Sequence, residues 1–265
     1  MNAMSQIVEP LPLLRVTRLT KAFGPVVACR NISFDLYPGE VLGIVGESGS
    51  GKTTLLNCIS GRMQPDEGEV AFATRRLGLT DIYNLPEPDR RRMQREEWGF
   101  VHQSARDGLR MRATASANVA EPLMNMGGRH YGRMRAETER WFNRVELDPA
   151  RLDGQPRLFS GGMQQRVQIA RNLIHGPRMV FMDEPTGGLD VSVQARLLDL
   201  MRELVRDLGL AVVLVTHDMA VARLLADRLL VMKQGDVVES GLTDQVLDDP
   251  QHPYSQLLVS SVLQI

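Results

Sequence analysis

The chain has very few cysteines, and this shortage excludes several classes of protein. Only two of its 265 residues are cysteine, Cys29 and Cys58. Two cysteines cannot make a disulfide framework or a structural zinc site, nor can they hold an iron–sulfur cluster without another chain. We therefore expect both to be small core residues, with Cys58 in a helix. Chemistry that requires such a cluster would belong to a partner.

Long apolar runs and a strong charge of one sign are also lacking. No stretch of about 18 apolar residues occurs, and the chain begins without a basic-then-apolar signal segment, so we expect a cytoplasmic protein. The net charge of −1 provides no overall field to attract nucleic acid, and no nucleic-acid partner is expected. With 43% hydrophobic residues, the chain can bury the core of one large domain.

Lysine is scarce, although basic residues are not. Of 31 lysines and arginines only three are lysine: Lys21, Lys52 and Lys233. Lys52 lies in a glycine-rich stretch. A compact point charge suits a phosphate-binding loop better than the fork of arginine does.

The glycine-rich stretch around Lys52 lies between a predicted strand, Val41–Val45, and a predicted helix that includes Leu55–Ile59. The pattern G-x-x-x-x-G-K-[ST] in this context predicts a phosphate-binding loop rather than an ordinary turn. Its backbone N–H groups and the helix N-terminus would bind phosphate oxygens of ATP. Lys52 would bridge the β- and γ-phosphates, and Thr53 would ligate Mg²⁺. The loop comprises Gly46, Glu47, Ser48, Gly49, Ser50, Gly51, Lys52, Thr53 and Thr54.

One predicted strand ends in two carboxylates. The apolar run Met179–Asp183 is followed directly by Glu184. In open α/β sheets, ligands bind at the carboxyl ends of the parallel strands. We therefore expect Asp183 to hold Mg²⁺, usually through water, and Glu184 to orient or deprotonate the attacking water.

Two further strands are followed by polar side chains. Ala211–Thr216 precedes His217, and Trp98–Val101 leads to Gln103. We expect His217 to reach a γ-phosphate, where a neutral imidazole could donate to a phosphate oxygen and accept from elsewhere. Gln103 could ligate Mg²⁺ or hold the water.

A second anion-binding helix start is predicted at Ser160, although an ordinary capped helix is the simpler alternative. Ser160 is a good N-cap, and Gly161 and Gly162 expose backbone N–H groups ahead of the helix Val167–Ile174. Because the chain already has a phosphate loop, this helix start makes most sense as a site completed across a two-fold axis. We therefore predict a homodimer that encloses two Mg-ATP molecules.

Two stretches permit two interpretations each. Phe23 could stack on an adenine ring or be a core or turn phenylalanine. The arginine-rich stretch Asp89–Arg95 could be a solvated helix face or a docking site for a partner. A third stretch, Tyr131–Val145, places apolar residues at helical spacing, which favours core packing.

Together these motifs resemble the nucleotide-binding domain of the ABC ATPases, over residues 13–265. The resemblance implies ATP hydrolysis with Lys52, Glu184 and His217 as catalytic residues. Counterparts of the family's motifs, in chain order, are Phe23 (A-loop), 46–54 (Walker A), Gln103 (Q-loop), 160–164 (signature), 179–184 (Walker B with its glutamate), 187–190 (D-loop) and His217 (H-loop). The residues acting across the dimer would be Ser160, Gly161, Gly162, Met163, Gln164 and Asp190.

Two departures from the family's patterns stand out. Phe159 and Met163 replace the ends of the usual LSGGQ signature, and Gly187-Gly188 stand where Ser-Ala is common in the D-loop. The paired glycines should make that loop more flexible.

The resemblance implies an α/β fold: a P-loop NTPase core with a mixed sheet, an N-terminal antiparallel β edge and an inserted α-helical subdomain. The expected parts are a flexible tail (1–12), a single domain (13–265) with its α/β core (13–103 and 176–242), a helical subdomain carrying the signature (104–175) and a C-terminal helical tail (243–265). The predicted edge strands are Leu13–Leu19 and Ile32–Leu36.

A finer resemblance is to the oligopeptide-type branch, through the FSGGM signature and the tail Asp249–Tyr254. Within it, the chain is similar to the ABC-type proteins of the bacterial carbon–phosphorus lyase (phosphonate utilisation) system. The stretches that carry this similarity are Trp98–Gln103, Asp107–Arg110, Arg129–Gly132, Glu184–Leu198 and Val231–Leu247. The similarity implies the lyase core subunits as partners, with residues 107–112 as a candidate docking segment.

The alternative is the ATPase subunit of an oligopeptide or phosphonate importer, whose partners are membrane permease subunits. The two functions share every catalytic residue, so only the identity of the partner separates them. A mechanical ATPase of ribosomes or DNA usually has a second cassette or a long coiled-coil insert, and neither occurs here. A small-molecule kinase would leave the signature helix unexplained.

Overall fold

The structure is a computed structural model that describes residues 11–262, the last two by their backbone only. Residues 1–10 of the expected N-terminal tail lie outside this range. Within it, the strands are β1 (Leu14–Phe23), β2 (Val26–Leu36), β3 (Val41–Val45), β4 (Glu67–Thr74), β5 (Gly78–Asp81), β6 (Trp98–Val101), β7 (Met179–Asp183), β8 (Ala211–Thr216), β9 (Arg228–Lys233) and β10 (Asp236–Leu242).

Helices alternate with these strands or follow them in groups. They are α1 (Lys52–Ile59), α2 (Glu87–Glu97), α3 (Ala105–Gly108), α4 (Ala115–Asn125), α5 (Tyr131–Arg144), α6 (Gly161–Leu173), α7 (Val191–Leu208), α8 (Met219–Leu225), α9 (Thr243–Asp248) and α10 (Pro253–Val262). Among the described residues, every helix is too short or too polar to cross a lipid bilayer.

The larger sheet has the strand order β10-β9-β3-β8-β7-β6. The neighbouring strands β9, β3, β8, β7 and β6 pair in parallel. Strand β10 pairs antiparallel with β9, so the predicted mixed sheet is confirmed. Strands β3 and β8 are buried along their whole length, as expected for apolar parallel strands covered on both faces. The carboxyl ends of β3, β6, β7 and β8 therefore lie along one edge.

The second sheet is antiparallel, in the order β2-β1-β4-β5, and confirms the predicted N-terminal β edge. Its strands β1 and β2 extend beyond the predicted limits. Strand β5 was not predicted, because four residues are too few to show an alternating pattern. Cys29 in β2 and Cys58 in α1 are both buried and form no disulfide, as expected.

Two apolar clusters cover the two faces of the larger sheet. One contains Leu42 and Ile44 with α1 and the antiparallel sheet, and the other contains Val41 and Val45 with the helices between β6 and β7. Trp141, Phe142 and Val145 belong to the second cluster, as the core prediction expects, whereas Met134 of the same stretch is half-buried and lies outside it.

Helix α6 begins at Gly161, directly after Ser160, which confirms the predicted N-cap. Ser160 Oγ accepts a hydrogen bond from the backbone N–H of Met163, at 3.4 Å. Gly161 and Gly162 therefore form the first turn of the helix that includes the predicted stretch from Val167.

The arginine-rich stretch lies on α2. Arg91 and Arg92 are exposed and pair with Glu87 and Glu96 along the same helix, whereas Met93 is buried. This arrangement favours the solvated helix face over a docking site.

Candidate nucleotide-binding site

Lys52 is the first residue of α1, directly after the glycine-rich loop. Its side chain reaches back across the loop, where Nζ donates to the carbonyl oxygens of Gly46 (2.7 Å) and Glu47 (2.6 Å). Lys52 is only 6% exposed. Burial lowers the pKa of Lys52, and the carboxylates of Glu184 and Asp183 act in the opposite direction. The predicted phosphate-binding lysine is thus close enough to the predicted catalytic carboxylate, Glu184, and the predicted Mg²⁺ ligand, Asp183, for their charges to affect its pKa.

The loop needs glycine at two positions because neighbouring strands approach it closely. Gly46 and Gly51 have φ angles of 149° and 108°, in a region that side chains rarely adopt. A Cβ at Gly46 would lie 2.2 Å from the carbonyl oxygen of Met232, and a Cβ at Gly51 would lie 2.0 Å from that of Ala28. Strands β9 and β2 therefore hold the loop from outside.

Glu184 stands at the centre of the site, one residue after β7. Its Oε2 accepts a hydrogen bond from Gln103 Nε2 at 3.1 Å, and its Oε1 lies 2.8 Å from His217 Nδ1. Glu184 has a φ angle of 44°, a left-handed conformation that non-glycine residues adopt at a cost in free energy. Three residues predicted from the ends of three different strands are thus brought into direct contact.

The contact with Glu184 determines which nitrogen of His217 can donate. A carboxylate only accepts hydrogen bonds, so Nδ1 must carry a proton when it bonds Glu184 Oε1. A neutral ring then presents Nε2 as an acceptor, and only the imidazolium form could also donate to phosphate. The sequence led us to expect a neutral imidazole that donates to phosphate. In this geometry a neutral ring donates from Nδ1 to Glu184 and has no second N–H group for a phosphate oxygen.

Asp183 and Thr53 supply oxygen atoms suited to Mg²⁺, together with the amide oxygen of Gln103. Burial, and then the neighbouring Glu184, raise the pKa of Asp183, whereas Arg62 and Lys52 act to lower it. Within residues 11–262, no group of three or more histidine, cysteine, aspartate or glutamate side chains could hold a metal alone. A metal here would rely on hydroxyl, amide and phosphate oxygens as well.

Helix α6 links two loops of the site through buried glutamines that the sequence analysis did not single out. Gln165 Nε2 donates to the carbonyl oxygens of His102 (3.1 Å) and Pro185 (2.8 Å). Gln168 accepts from the N–H of His102 at 2.6 Å. The residues next to Gln103 and Glu184 are thus held by the helix that begins at the signature. A pair of buried amides spaced i, i+3 was the available signal.

The predicted signature residues differ in accessibility. Ser160 and Gly161 are exposed, but Gly162 is buried, and a Cβ there would lie 2.5 Å from Val193 Cγ1. Gln164 is also buried, and its Nε2 donates to the carbonyl oxygens of Pro156 and Phe159, at 3.0 Å each. The structure therefore gives Gln164 a role within its own chain, because its amide N–H groups are already bonded there.

Two other predicted residues lie at the surface. Asp190 is exposed, directly ahead of α7. Phe23 is 49% exposed at the end of β1, with Lys21 Nζ 5.7 Å from its ring centroid. This exposure contradicts the core interpretation of Phe23, whereas a turn phenylalanine and a ring that stacks on a ligand are both compatible with it.

Gly187 contacts the Q-loop side chain. A Cβ added at Gly187 would lie 3.0 Å from Gln103 Nε2, close enough that the amide would have to move by a few tenths of an ångström. We expect Gly187→Ala to shift Gln103 away from Glu184 and to lower kcat about threefold to tenfold, since small misplacements at a reacting centre are costly. Steady-state ATPase assays would measure this.

Gly188→Ala is the matched control for this prediction. Gly188 has no atom within 4 Å of an added Cβ, but its φ of 74° strains any side chain. This variant should lose thermal stability, whereas Gly187→Ala should lose mainly kcat. Equal ATPase rates for Gly187→Ala and the unmodified chain would contradict the proposed contact.

A family model described as "ABC transporter" matches residues 29–187. The chain belongs to this family and is an ABC-type ATPase that binds and hydrolyses ATP.

Two curated relatives and one solved structure indicate where it lies within the family. The chain is 64% identical to the putative phosphonates utilization ATP-binding protein PhnK of Escherichia coli (strain K12), over 96% of this chain and 98% of PhnK. It is 37% identical to the oligopeptide transport ATP-binding protein OppF of the same organism, over 89% of this chain and 69% of OppF. It also matches the ATP-binding cassette MJ0796, a dimer in a post-hydrolysis state bound to ADP and Pi. Identity is 32%, the TM-score is 0.75, and coverage is 87% of this chain and 98% of that cassette.

Proposed function

We propose that this chain is the ATP-hydrolysing subunit that drives a conformational change in the carbon–phosphorus lyase core complex during phosphonate breakdown in the cytoplasm. The observation that carries the proposal is the 64% identity to PhnK over nearly the whole of both chains. Identity to OppF is much lower, at 37%. Both relatives match most of this chain, so the difference in identity supports the lyase system over an importer.

The active form that we propose is a homodimer around two Mg-ATP molecules. Exposure of Ser160, Gly161 and Asp190 supports this form, because these groups can reach a nucleotide held by a second copy. The dimeric state of MJ0796, a cassette with the same fold, is consistent with it. In this dimer the Ser160 helix start of one copy caps the ATP on the phosphate loop of the other.

The chemical roles follow from the contacts in the site. Lys52 and the loop N–H groups bind the β- and γ-phosphates, and Thr53, Asp183 and Gln103 hold Mg²⁺. When bound, Mg²⁺ supplies positive charge against the phosphate oxygens. Glu184, held by Gln103 and His217, accepts the proton of the water that attacks the γ-phosphorus. His217 contacts the γ-phosphate through Nε2, the ring nitrogen that is not bonded to Glu184.

The proposed docking segment, residues 107–112, is mechanically connected to the site. Arg110 has a side chain that is 74% exposed and pairs with Glu121 at 2.7 Å, and Glu121 also pairs with Arg171 of α6. At Gly108, a Cβ would lie 2.7 Å from Gln168 Oε1. A partner bound to this segment could therefore act on α6 and, through Gln168, on the loop that carries Gln103.

The alternative function is that of the ATPase subunit of an oligopeptide- or phosphonate-type importer, bound to membrane permease subunits. The similarity to OppF favours it as the second candidate. It would use the same catalytic residues, so ATPase measurements cannot separate the two functions.

A co-purification experiment separates them. The tagged chain is expected to retain lyase core subunits from cells grown on a phosphonate. A double charge reversal, Arg110→Glu with Arg112→Glu, should abolish this retention by placing acid on the proposed docking segment. The matched double reversal on α2, Arg91→Glu with Arg92→Glu, should retain it. Recovery of permease subunits without lyase subunits would overturn the proposal in favour of the importer.

A further inference from the structure

The tail segment Asp249–Tyr254 has no role in the function proposed so far, yet it contacts the phosphate loop. Tyr254, in the first turn of α10, places its hydroxyl where it accepts a hydrogen bond from the backbone N–H of Glu47, at 3.0 Å. The two residues are 207 positions apart in the chain. Tyr254 is only 4% exposed although Glu47 lies at the surface, so the bond is partly shielded from water.

A single peptide unit connects Tyr254 to the phosphate-binding lysine. The peptide between Gly46 and Glu47 donates its N–H to Tyr254 and accepts at its C=O from Lys52 Nζ, at 2.7 Å. A peptide unit is planar and rigid, so fixing both polar groups fixes the orientation of the whole plane. Removing the tyrosine hydroxyl would free one side of this plane and loosen the carbonyl that holds Lys52.

The tail itself is anchored on the β9–β10 hairpin. The carboxylate of Glu239 accepts from the backbone N–H groups of Gln251 (2.8 Å) and His252 (3.0 Å), immediately before α10. Lys233 Nζ lies 4.8 Å from the centroid of the Tyr254 ring, within range of a cation–π contact. These contacts hold the Tyr254 ring in place on a structure outside the loop.

The same hairpin also touches the loop directly. The backbone N–H of Gly235, in the β9–β10 turn, donates to the carbonyl oxygen of Ser50 at 2.9 Å. The hairpin and the tail thus hold the loop at two points, one near each end of its glycine-rich turn.

We propose that Tyr254 is a positioning residue for the phosphate loop: its hydroxyl holds the Gly46–Glu47 peptide so that the loop and Lys52 are preorganised for the triphosphate of ATP. This inference rests on the proposed function, since it concerns the same nucleotide site. Tyr254 acts through the loop backbone and is not itself a catalytic residue. Helix α10, which carries Tyr254, is therefore part of the nucleotide site.

Tyr254→Phe tests the inference because it removes the hydroxyl and keeps the ring. We expect the Kd and KM for ATP to rise about threefold to tenfold, the worth of one hydrogen bond, while kcat at saturating ATP stays within about twofold. Titration calorimetry and steady-state kinetics would measure the two effects. An unchanged Kd, in a preparation that binds ATP, would overturn the proposal.

Tyr83→Phe is the matched control. The Tyr83 hydroxyl donates to the carbonyl oxygen of Cys58 at 2.6 Å, near the far end of α1. Its loss should lower the unfolding temperature without changing the Kd for ATP. If both variants weakened ATP binding equally, the effect of Tyr254→Phe would be one of general stability, and the positioning role would be wrong.

A measurement without nucleotide separates this inference from the proposed function. Hydrogen–deuterium exchange at the Glu47 amide should be several-fold faster in Tyr254→Phe than in the unmodified chain. If the unmodified chain failed to bind ATP, the proposed function would fail, and the exchange rate would then decide alone whether Tyr254 holds the loop. Equal exchange rates would show that it does not.

Discussion

Glu184→Gln is expected to bind ATP with nearly unchanged affinity and to hydrolyse it about 10³-fold more slowly, the typical worth of a positioned general base. Glutamine preserves the shape of the side chain and can still bond Gln103 or His217, but its neutral amide cannot take the proton from water. Because ATP then persists, the variant should accumulate as a dimer. Phosphate release and size-exclusion chromatography with Mg-ATP would measure the two results.

Glu203→Gln is the control for this experiment. Glu203 lies on an exposed face of α7, so the same chemical change occurs there away from the site. This variant should retain full activity and the normal monomer–dimer balance. A Glu184→Gln protein that hydrolyses ATP at the rate of the unmodified chain would refute the role of Glu184.

Lys52→Ala is expected to lower kcat/KM for ATP by about 10²–10³-fold, because it removes a charged donor aimed at the phosphates. The change also leaves the carbonyl oxygens of Gly46 and Glu47 without their lysine partner. Binding of a fluorescent ATP analogue and steady-state ATPase rates would measure the loss. Thermal unfolding without nucleotide would show whether the fold is retained.

The variant Lys52→Arg tests whether a positive charge of any shape at this position is sufficient for ATP hydrolysis. The ammonium group fits between two loop carbonyls in a buried space, whereas the guanidinium fork is larger and planar. We expect this variant to remain at least about tenfold below the unmodified chain in kcat/KM, through misplacement of the charge. Full activity in Lys52→Arg would contradict the argument that the loop requires a compact cation.

Much of the sheet could be predicted from local patterns. Apolar runs such as Ala211–Thr216 and Met179–Asp183 are short, rich in β-branched or bulky residues, and bounded by polar groups, so each indicated a buried parallel strand. Because parallel strands present their carboxyl ends at one edge, the positions of Glu184 and His217 followed from the same patterns.

The start of α6 could be predicted, because Ser160 is a preferred N-cap residue, but the position of Gln164 could not. The family motif placed Gln164 toward a second copy, whereas tertiary packing turns its side chain toward Pro156 and Phe159. For Gln164, contacts within the folded chain outweighed the expectation from the motif.

The chemical groups of the site could be deduced without a structure: a phosphate loop, two carboxylates at a strand end, and a histidine and a glutamine at neighbouring strand ends. These features can be recognised in the sequence because the residues of each motif are adjacent in the chain and one local structure dictates their spacing. The contacts that hold these groups in place are visible only in the folded chain. Gln165 reaches two loops, the carbonyl oxygens of Ala28 and Met232 require glycine at Gly51 and Gly46, and Tyr254 binds the Gly46–Glu47 peptide. Such contacts join residues far apart in sequence, so no local pattern encodes them, and they form only when the sheet brings the segments together.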